Sequence, residues 1–178
     1  RESEIRNRFR DLEVQPLRGN VQTRLRKLDE GQFDGIILAA AGLERLGLKD
    51  RIVQHLPVDV SIPSVGQGAL GVECLEVRQD IVDLLRLLDH EQTRICVEGE
   101  RSVSRSLGGA CTSPIGVYAR FSDNHLEMSA FVATPNGSEC LRVAGRDENN
   151  KSGAIRLSRK LVNELNDMGA RELLGGIE

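Results

Sequence analysis

Aromatic side chains are nearly missing from this sequence: they make up 3% of its 178 residues, with one Tyr, four Phe and no Trp. Aliphatic side chains must therefore do the packing. No apolar run approaches the roughly 18 residues that a membrane-spanning helix needs, and no signal peptide is visible, so a soluble, cytoplasmic protein without membrane partners is expected. The four cysteines, at 74, 96, 111 and 140, form no CxxC pair and share no metal-type spacing with the three histidines. Neither a metal site nor a disulfide framework is indicated, and free thiols in a reducing compartment fit best. A P-loop, a dinucleotide fingerprint and a Ser/His/Asp or Cys/His arrangement are also lacking, as are internal repeats.

What the chain does have is an aliphatic core allowance, with 39% hydrophobic residues, and an uneven charge. The net charge of -3 argues against general nucleic-acid binding. Residues 1–51 carry 11 Lys+Arg against 9 Asp+Glu, and the remainder carries 13 against 18, so the first third is relatively cationic. The length suits two small domains. The chain opens at Arg1 without a methionine, inside a helical pattern of Ile5, Phe9 and Leu12, which suggests a piece of a longer protein.

Apolar periodicity outlines the elements. Residues 12–17 read as a short strand, Asn20 as the cap of a helix over 21–28, and the continuous apolar run 33–40 as a strand buried on both faces of a parallel sheet. Together they make a βαβ unit with a right-handed crossover. Short helical pieces follow at 41–46 and 50–56. Pro57, Pro63 and the stretch Ser61 to Gly68 form an extended connection that serves as a hinge candidate. Leu70, Val72 and Cys74 alternate as a strand with no visible partner, and an apolar helix covers 81–88. Beyond about Asp89 come a helix over 92–107, three strands near 115–121, 126–132 and 141–143, and a last helix capped by Ser152. Ile155, Leu161, Val162, Leu165 and Met168 supply the buried face of that helix. The expected architecture is α/β, a partial periplasmic-binding-protein-like βαβ domain, followed by a C-terminal α+β domain with a three-stranded antiparallel sheet and helices on one face.

Three stretches offer chemistry. Arg18 closes the first strand before Gly19-Asn20, and Arg24 follows on the first turns of the helix; helix N-termini attract anions and guanidinium binds carboxylate or phosphate through two parallel bonds. Arg45 occupies the corresponding rim position after the second strand, where open α/β sheets bind ligands. Gly66-Gln67-Gly68 is a polar turn that can present an amide to a ligand or serve only as a turn. Gly108-Gly109-Ala110-Cys111 places a thiol on a glycine-rich bend, either as a small hydrophobe in a tight turn or as a presented sulfur. No neighbouring base activates Cys111 as a nucleophile. His55, His90 and His125 suit capping or surface roles.

Four motifs in order, 17–25 (LRGNVQTRL), 36–47 (IILAAAGLERLG), 65–74 (VGQGALGVEC) and 108–116 (GGACTSPIG), resemble porphobilinogen deaminase, the hydroxymethylbilane synthase family. The resemblance implies a transferase of tetrapyrrole biosynthesis that condenses four porphobilinogen units onto a dipyrromethane cofactor, releasing ammonia and, at the end, hydroxymethylbilane. It implies a thioether from Cys111 to that cofactor. Arg1, Arg18, Arg24 and Arg45 would bind the carboxylates of the cofactor and growing pyrrole chain, and Gln67 would lie near them. It further implies a three-domain monomer of which residues 1–64 are part of domain 2, 65–88 the hinge and a return segment belonging to domain 1, and 89–178 the C-terminal domain. The missing N-terminal part would include the aspartate that acts on the pyrrole nitrogens, so no catalytic residue is expected in this stretch and no turnover from it alone. The competing expectations are a non-catalytic anion-binding module of periplasmic-binding-protein type, with no dependence on Cys111, and a structural fragment without ligand.

Overall fold

The computed structural model describes residues 1–109 and 113–175. Its centre is an antiparallel meander of β1 (Ile115–Ser122), β2 (His125–Ala133) and β3 (Cys140–Glu148), in the order β1-β2-β3. Val117, Ala130 and Val143 lie in register across the three strands, as do Gly116, Phe131 and Arg142. Because successive side chains of a strand alternate faces, Leu126, Met128, Ala130 and Val132 all point one way, and all four are buried.

Three helices cover that face: α5 (Glu91–Ser106), α6 (Lys151–Asp167) and α7 (Ala170–Gly175). Ile95, Cys96 and Val103 of α5, with Leu157, Leu161 and Leu165 of α6, fill the core against the sheet. Burial of each such large apolar side chain contributes about 1.5–3 kcal/mol. Gly99 lets the layers meet: a Cβ there would lie 2.8 Å from Met128 Cε, and the Ser158 hydroxyl on α6 donates to the Gly99 carbonyl at 3.1 Å. The cap of α6 is Asn150, whose Oδ1 accepts from the Gly153 N–H at 2.8 Å, rather than Ser152. Its buried face is Ala154, Leu157, Ser158, Leu161 and Leu165, while Ile155 and Met168 are exposed. Those two fall at the edges of the apolar stripe, where helical spacing alone does not separate covered from uncovered positions.

The first half consists of α1 (Glu2–Arg8), α2 (Val21–Asp29), α3 (Ala40–Arg45), one 3-10 turn (Lys49–Arg51) and α4 (Gln79–Arg86), joined by extended chain. The Asn20 cap of α2 is present, with Oδ1 accepting from the Thr23 N–H at 2.8 Å. The expected strands at 12–17, 33–40 and 70–74 are corrected: among the described residues none of these segments joins a ladder. Among the described residues no backbone hydrogen bond ties 33–38 to another segment. A buried parallel strand exists only by bonding to neighbours on both sides, and the described residues supply none, so the apolar run stays extended and Ile37 is exposed. The helical piece expected over 50–56 shrinks to the 3-10 turn.

The second face of the sheet is covered by extended chain together with α1, whose Glu4 pairs with Arg142 of β3. Ile62 packs under Phe131 and Ala133, flanked by Val58, Tyr118 and Cys140. The connection expected as a hinge is therefore seated on the C-terminal sheet along part of its length. In contrast, residues 70–88 leave their apolar side chains uncovered: Leu70, Val72, Leu75, Val77, Leu84, Leu87 and Leu88 are all exposed, Leu87 by 81%.

Candidate functional site

Two of the arginine-bearing elements meet near the glycine turn. Arg1 stands at the N-terminus of α1, and its guanidinium donates to Gln67 Oε1 across 66 positions of sequence. Burial and the like charge of Arg24 both hold the Arg1 guanidinium below the usual arginine range, with burial the larger cause. Arg24 is fixed at the start of α2, where its Nε donates to the Gly19 carbonyl at 2.8 Å, leaving its terminal nitrogens free of protein partners among the described residues. Three of the sequence-predicted residues, Arg1, Arg24 and Gln67, are thus brought together.

Arg18 and Arg45 are exposed, at the mouth of α2 and in the last turn of α3. Among the described residues no hydrogen bond or ion pair occupies either guanidinium, and none joins them to the Arg1–Gln67 contact. Most other arginines do carry a partner: Arg51 pairs with Asp29, Arg94 with Asp89 and Arg156 with Asp147. A guanidinium without a protein partner is chemically free to take a carboxylate or phosphate through two parallel hydrogen bonds.

Gln67 is presented by an unusual turn. Gly66 at φ +69° and Gly68 at φ +89° flank it, both in the left-handed region that side chains resist. The Gln67 N–H donates to the Ser64 carbonyl at 3.0 Å, and the Gly66 N–H donates to Glu100 Oε2 at 2.7 Å. Behind the turn lies a cavity of about 330 Å³, walled by Gly66, Gln67, Thr93, Cys96, Glu100 and Phe121.

Two buried carboxylates escape a reading of motifs. Glu100 of α5 is 4% exposed, and its Oε1 also accepts from the Ala119 N–H at 2.9 Å. Glu4 of α1 has a fully buried side chain that accepts from the Ile62 N–H at 3.1 Å and the Ser61 hydroxyl at 3.3 Å, and it pairs with Arg142 Nη1 at 3.2 Å. Burial raises the pKa of both, offset in part by their N–H donors and, for Glu4, by Arg142. The signal for Glu100 was present in the sequence: it sits four residues after Cys96 and three before Val103, on the apolar stripe of its helix. Glu4 sends no such signal, because its burial comes from distant segments.

Cys96, Cys140 and His90 have structural surroundings. Burial and the nearby Glu100 charge push the Cys96 thiol up to about 11, so it stays protonated and unreactive at neutral pH. Burial likewise raises Cys140. His90 caps α5, its Nδ1 accepting from the Thr93 N–H at 3.3 Å. Cys111 lies outside the described residues; on either side of it, Gly108 at φ +72° closes α5 and Ile115 opens β1. Among the described residues no three metal-ligating side chains cluster, and no helix is long and apolar enough to cross a membrane.

Comparison with known proteins gives a consistent match. Residues 1–83 match the family model "Porphobilinogen deaminase, dipyromethane cofactor binding domain", and residues 94–167 match "Porphobilinogen deaminase, C-terminal domain". The chain is similar to curated proteins named porphobilinogen deaminase from Nitrosomonas europaea (48% identical, 99% of this chain), Chromobacterium violaceum (46%, 99%) and Laribacter hongkongensis (47%, 100%). In each case it spans 57% of the relative's length.

Proposed function

Because the chain belongs to the porphobilinogen deaminase family, we propose that the protein it represents is a transferase, a hydroxymethylbilane synthase, of tetrapyrrole and heme biosynthesis. In this reading a dipyrromethane held by a thioether to Cys111 is the primer onto which four porphobilinogen units condense, each releasing ammonia, before hydrolysis frees hydroxymethylbilane. The residues of this chain bind and orient. Every pyrrole ring carries an acetate and a propionate, so a growing chain gathers negative charge that fixed guanidinium groups must match.

One observation carries the proposal: Arg1 and Arg24 are close enough to repel, no carboxylate is bonded to either among the described residues, and Arg18 and Arg45 are likewise unpartnered. Like charges held together without a counter-ion cost free energy that an anionic ligand recovers. Arg1, Arg18, Arg24 and Arg45 take the carboxylates of the cofactor and elongating chain, and Gln67 supplies a neutral donor and acceptor beside them. Cys96, buried, and Cys140, half-buried, both have thiols that burial pushes up, so neither competes with Cys111 for attachment as a thiolate at neutral pH.

The domain assignment follows from the same reading. Residues 1–64 are part of a periplasmic-binding-protein-like second domain whose unpaired extended segments, 12–17 and 33–39, pair with strands of the same protein outside this chain. Residues 65–88 are hinge and a return segment that packs on the first domain, which accounts for the exposed Leu70, Val72, Leu84 and Leu87. Residues 89–178 are the C-terminal α+β domain carrying Cys111. The group that acts on the pyrrole nitrogens lies in the first domain, so this stretch alone does not turn over. The protein works as a cytoplasmic monomer, consistent with three free cysteines among the described residues.

Intact-mass measurement of the full-length protein tests the assignment. The expected result is a dipyrromethane adduct that vanishes in Cys111→Ser together with activity. A wild-type protein that is active and unmodified would overturn it.

A further inference from the structure

The Arg1–Gln67 contact joins two chain segments that have no secondary structure in common, and each is secured by a buried carboxylate. Glu4 stands one helical turn after Arg1 and accepts from the Ile62 N–H and the Ser61 hydroxyl. Glu100 accepts from the N–H of Gly66, the residue immediately before Gln67. The strap 61–67 is therefore gripped at both ends, four residues apart, by carboxylates from two different helices.

Each carboxylate spends both oxygens. In Glu100, Oε2 serves Gly66 and Oε1 serves Ala119 on the outer edge of β1, where among the described residues no further strand meets the sheet. Two backbone donors that would otherwise be orphaned thus share one acceptor group. In Glu4, Oε1 meets the Ile62 N–H and Arg142, and Oε2 meets the Ser61 hydroxyl. Arg142 in turn donates to the Val58 carbonyl at 3.3 Å, which extends the grip to the chain just before the strap. Burying a charge is costly unless it is paired and hydrogen-bonded, and well-packed apolar residues often stabilise a core as well. What apolar residues cannot do is accept from the N–H groups of an irregular strap.

We propose that Glu4 and Glu100 are positioning residues that pin the 61–67 strap to the C-terminal sheet and thereby hold Gln67 against Arg1. The strap is then tied to both α1 and the C-terminal domain, and the ligand-facing pair keeps its geometry when other parts of the protein shift. This inference rests on the proposed role of Arg1 and Gln67 for its link to turnover, whereas its structural content is independent of that role.

The test uses the full-length protein with its cofactor and combines hydrogen exchange with a double-mutant cycle. In the wild type, the amides of Ile62 and Gly66 should exchange slowly although neither lies in a helix or strand; fast exchange at both overturns the proposal without any variant. Glu100→Gln keeps the shape but offers one acceptor in place of two. Exchange over 64–69 should then rise about tenfold while β2 and α6 stay protected; unchanged exchange, or equal loss throughout the core, overturns it. For turnover, Glu100→Gln added to Gln67→Ala should cost far less than it does alone. Full multiplicative losses would show that Glu100 does not act through Gln67 and would overturn the link. If Gln67→Ala alone leaves porphobilinogen consumption unchanged, the binding role of Gln67 falls, and the exchange results still decide the strap.

Discussion

Replacing Arg142 by Met removes the cation that faces the buried Glu4 carboxylate and leaves the stem volume nearly intact. The Glu4 side chain is 0% exposed and that of Arg142 33%, with 3.2 Å between their charged atoms. Stripping one partner from a buried ion pair costs about 3–5 kcal/mol. Here Glu4 keeps its Ile62 and Ser61 donors and Arg142 reaches solvent, so roughly 2–3 kcal/mol is expected at neutral pH. For a chain of this size that is a fall in Tm of roughly 4–12 °C. The pH dependence is the sharper test. Burial already raises the Glu4 pKa above its unfolded value, and Arg142 opposes that rise, so the substitution raises it further. A raised carboxyl binds protons more tightly in the folded state, so stability falls as pH climbs from the unfolded pKa through the folded one. Arg142→Met should therefore lose most at neutral pH and progressively less on mild acidification, as Glu4 becomes neutral in both proteins. Urea denaturation of both proteins across that range reads the difference directly. A loss that is the same at every pH, or that grows on acidification, would refute the buried-pair reasoning.

Three further outcomes follow from the same contacts. Gly137, at φ +74° in the β2–β3 turn, would place a Cβ 2.4 Å from the Ser3 carbonyl, so Gly137→Ala should cost roughly 2–4 kcal/mol through backbone strain and displacement of α1; a Tm within a degree of wild type would sink this. Its direct readout is loss of exchange protection in α1, which the Asn7 side chain ties to the Gly137 carbonyl at 2.9 Å. Glu100→Gln should be most destabilising at acidic pH and less so as pH rises through the raised Glu100 pKa, because the wild type alone bears the growing cost of a buried charge; denaturation curves at several pH values check the sign. Cys96, with its thiol pushed up to about 11, should resist alkylation at neutral pH in the native protein and react once denaturant is added; peptide mapping after labelling decides it.

How much of this was legible in advance depends on how local each cause is. The meander was readable because strand alternation and turn chemistry are written within a few residues: Ser122-Asp123-Asn124 and Pro135-Asn136-Gly137 break three runs of period two, and the three strands pair as those turns dictate. The Asn20 cap was readable for the same reason, since its partner is three residues away. The arginine rim was visible as residue type and order, but only the folded chain draws Gln67 to Arg1. Segments 12–17 and 33–40 read as strands but join no ladder among the described residues, because a strand's existence belongs to its neighbours, which periodicity does not report.

By itself, the sequence determined the C-terminal helices and meander, the family, and the candidate ligand residues Arg1, Arg18, Arg24, Arg45, Gln67 and Cys111. Their side-chain types and near-neighbour spacings already set local conformation and chemistry. Tertiary structure alone decided which arginines meet, that the supposed hinge lies against the sheet, and that Glu4 and Glu100 are buried. Burial and pairing arise between residues tens of positions apart, so the charge of a glutamate looks like surface in the sequence until the chain closes over it.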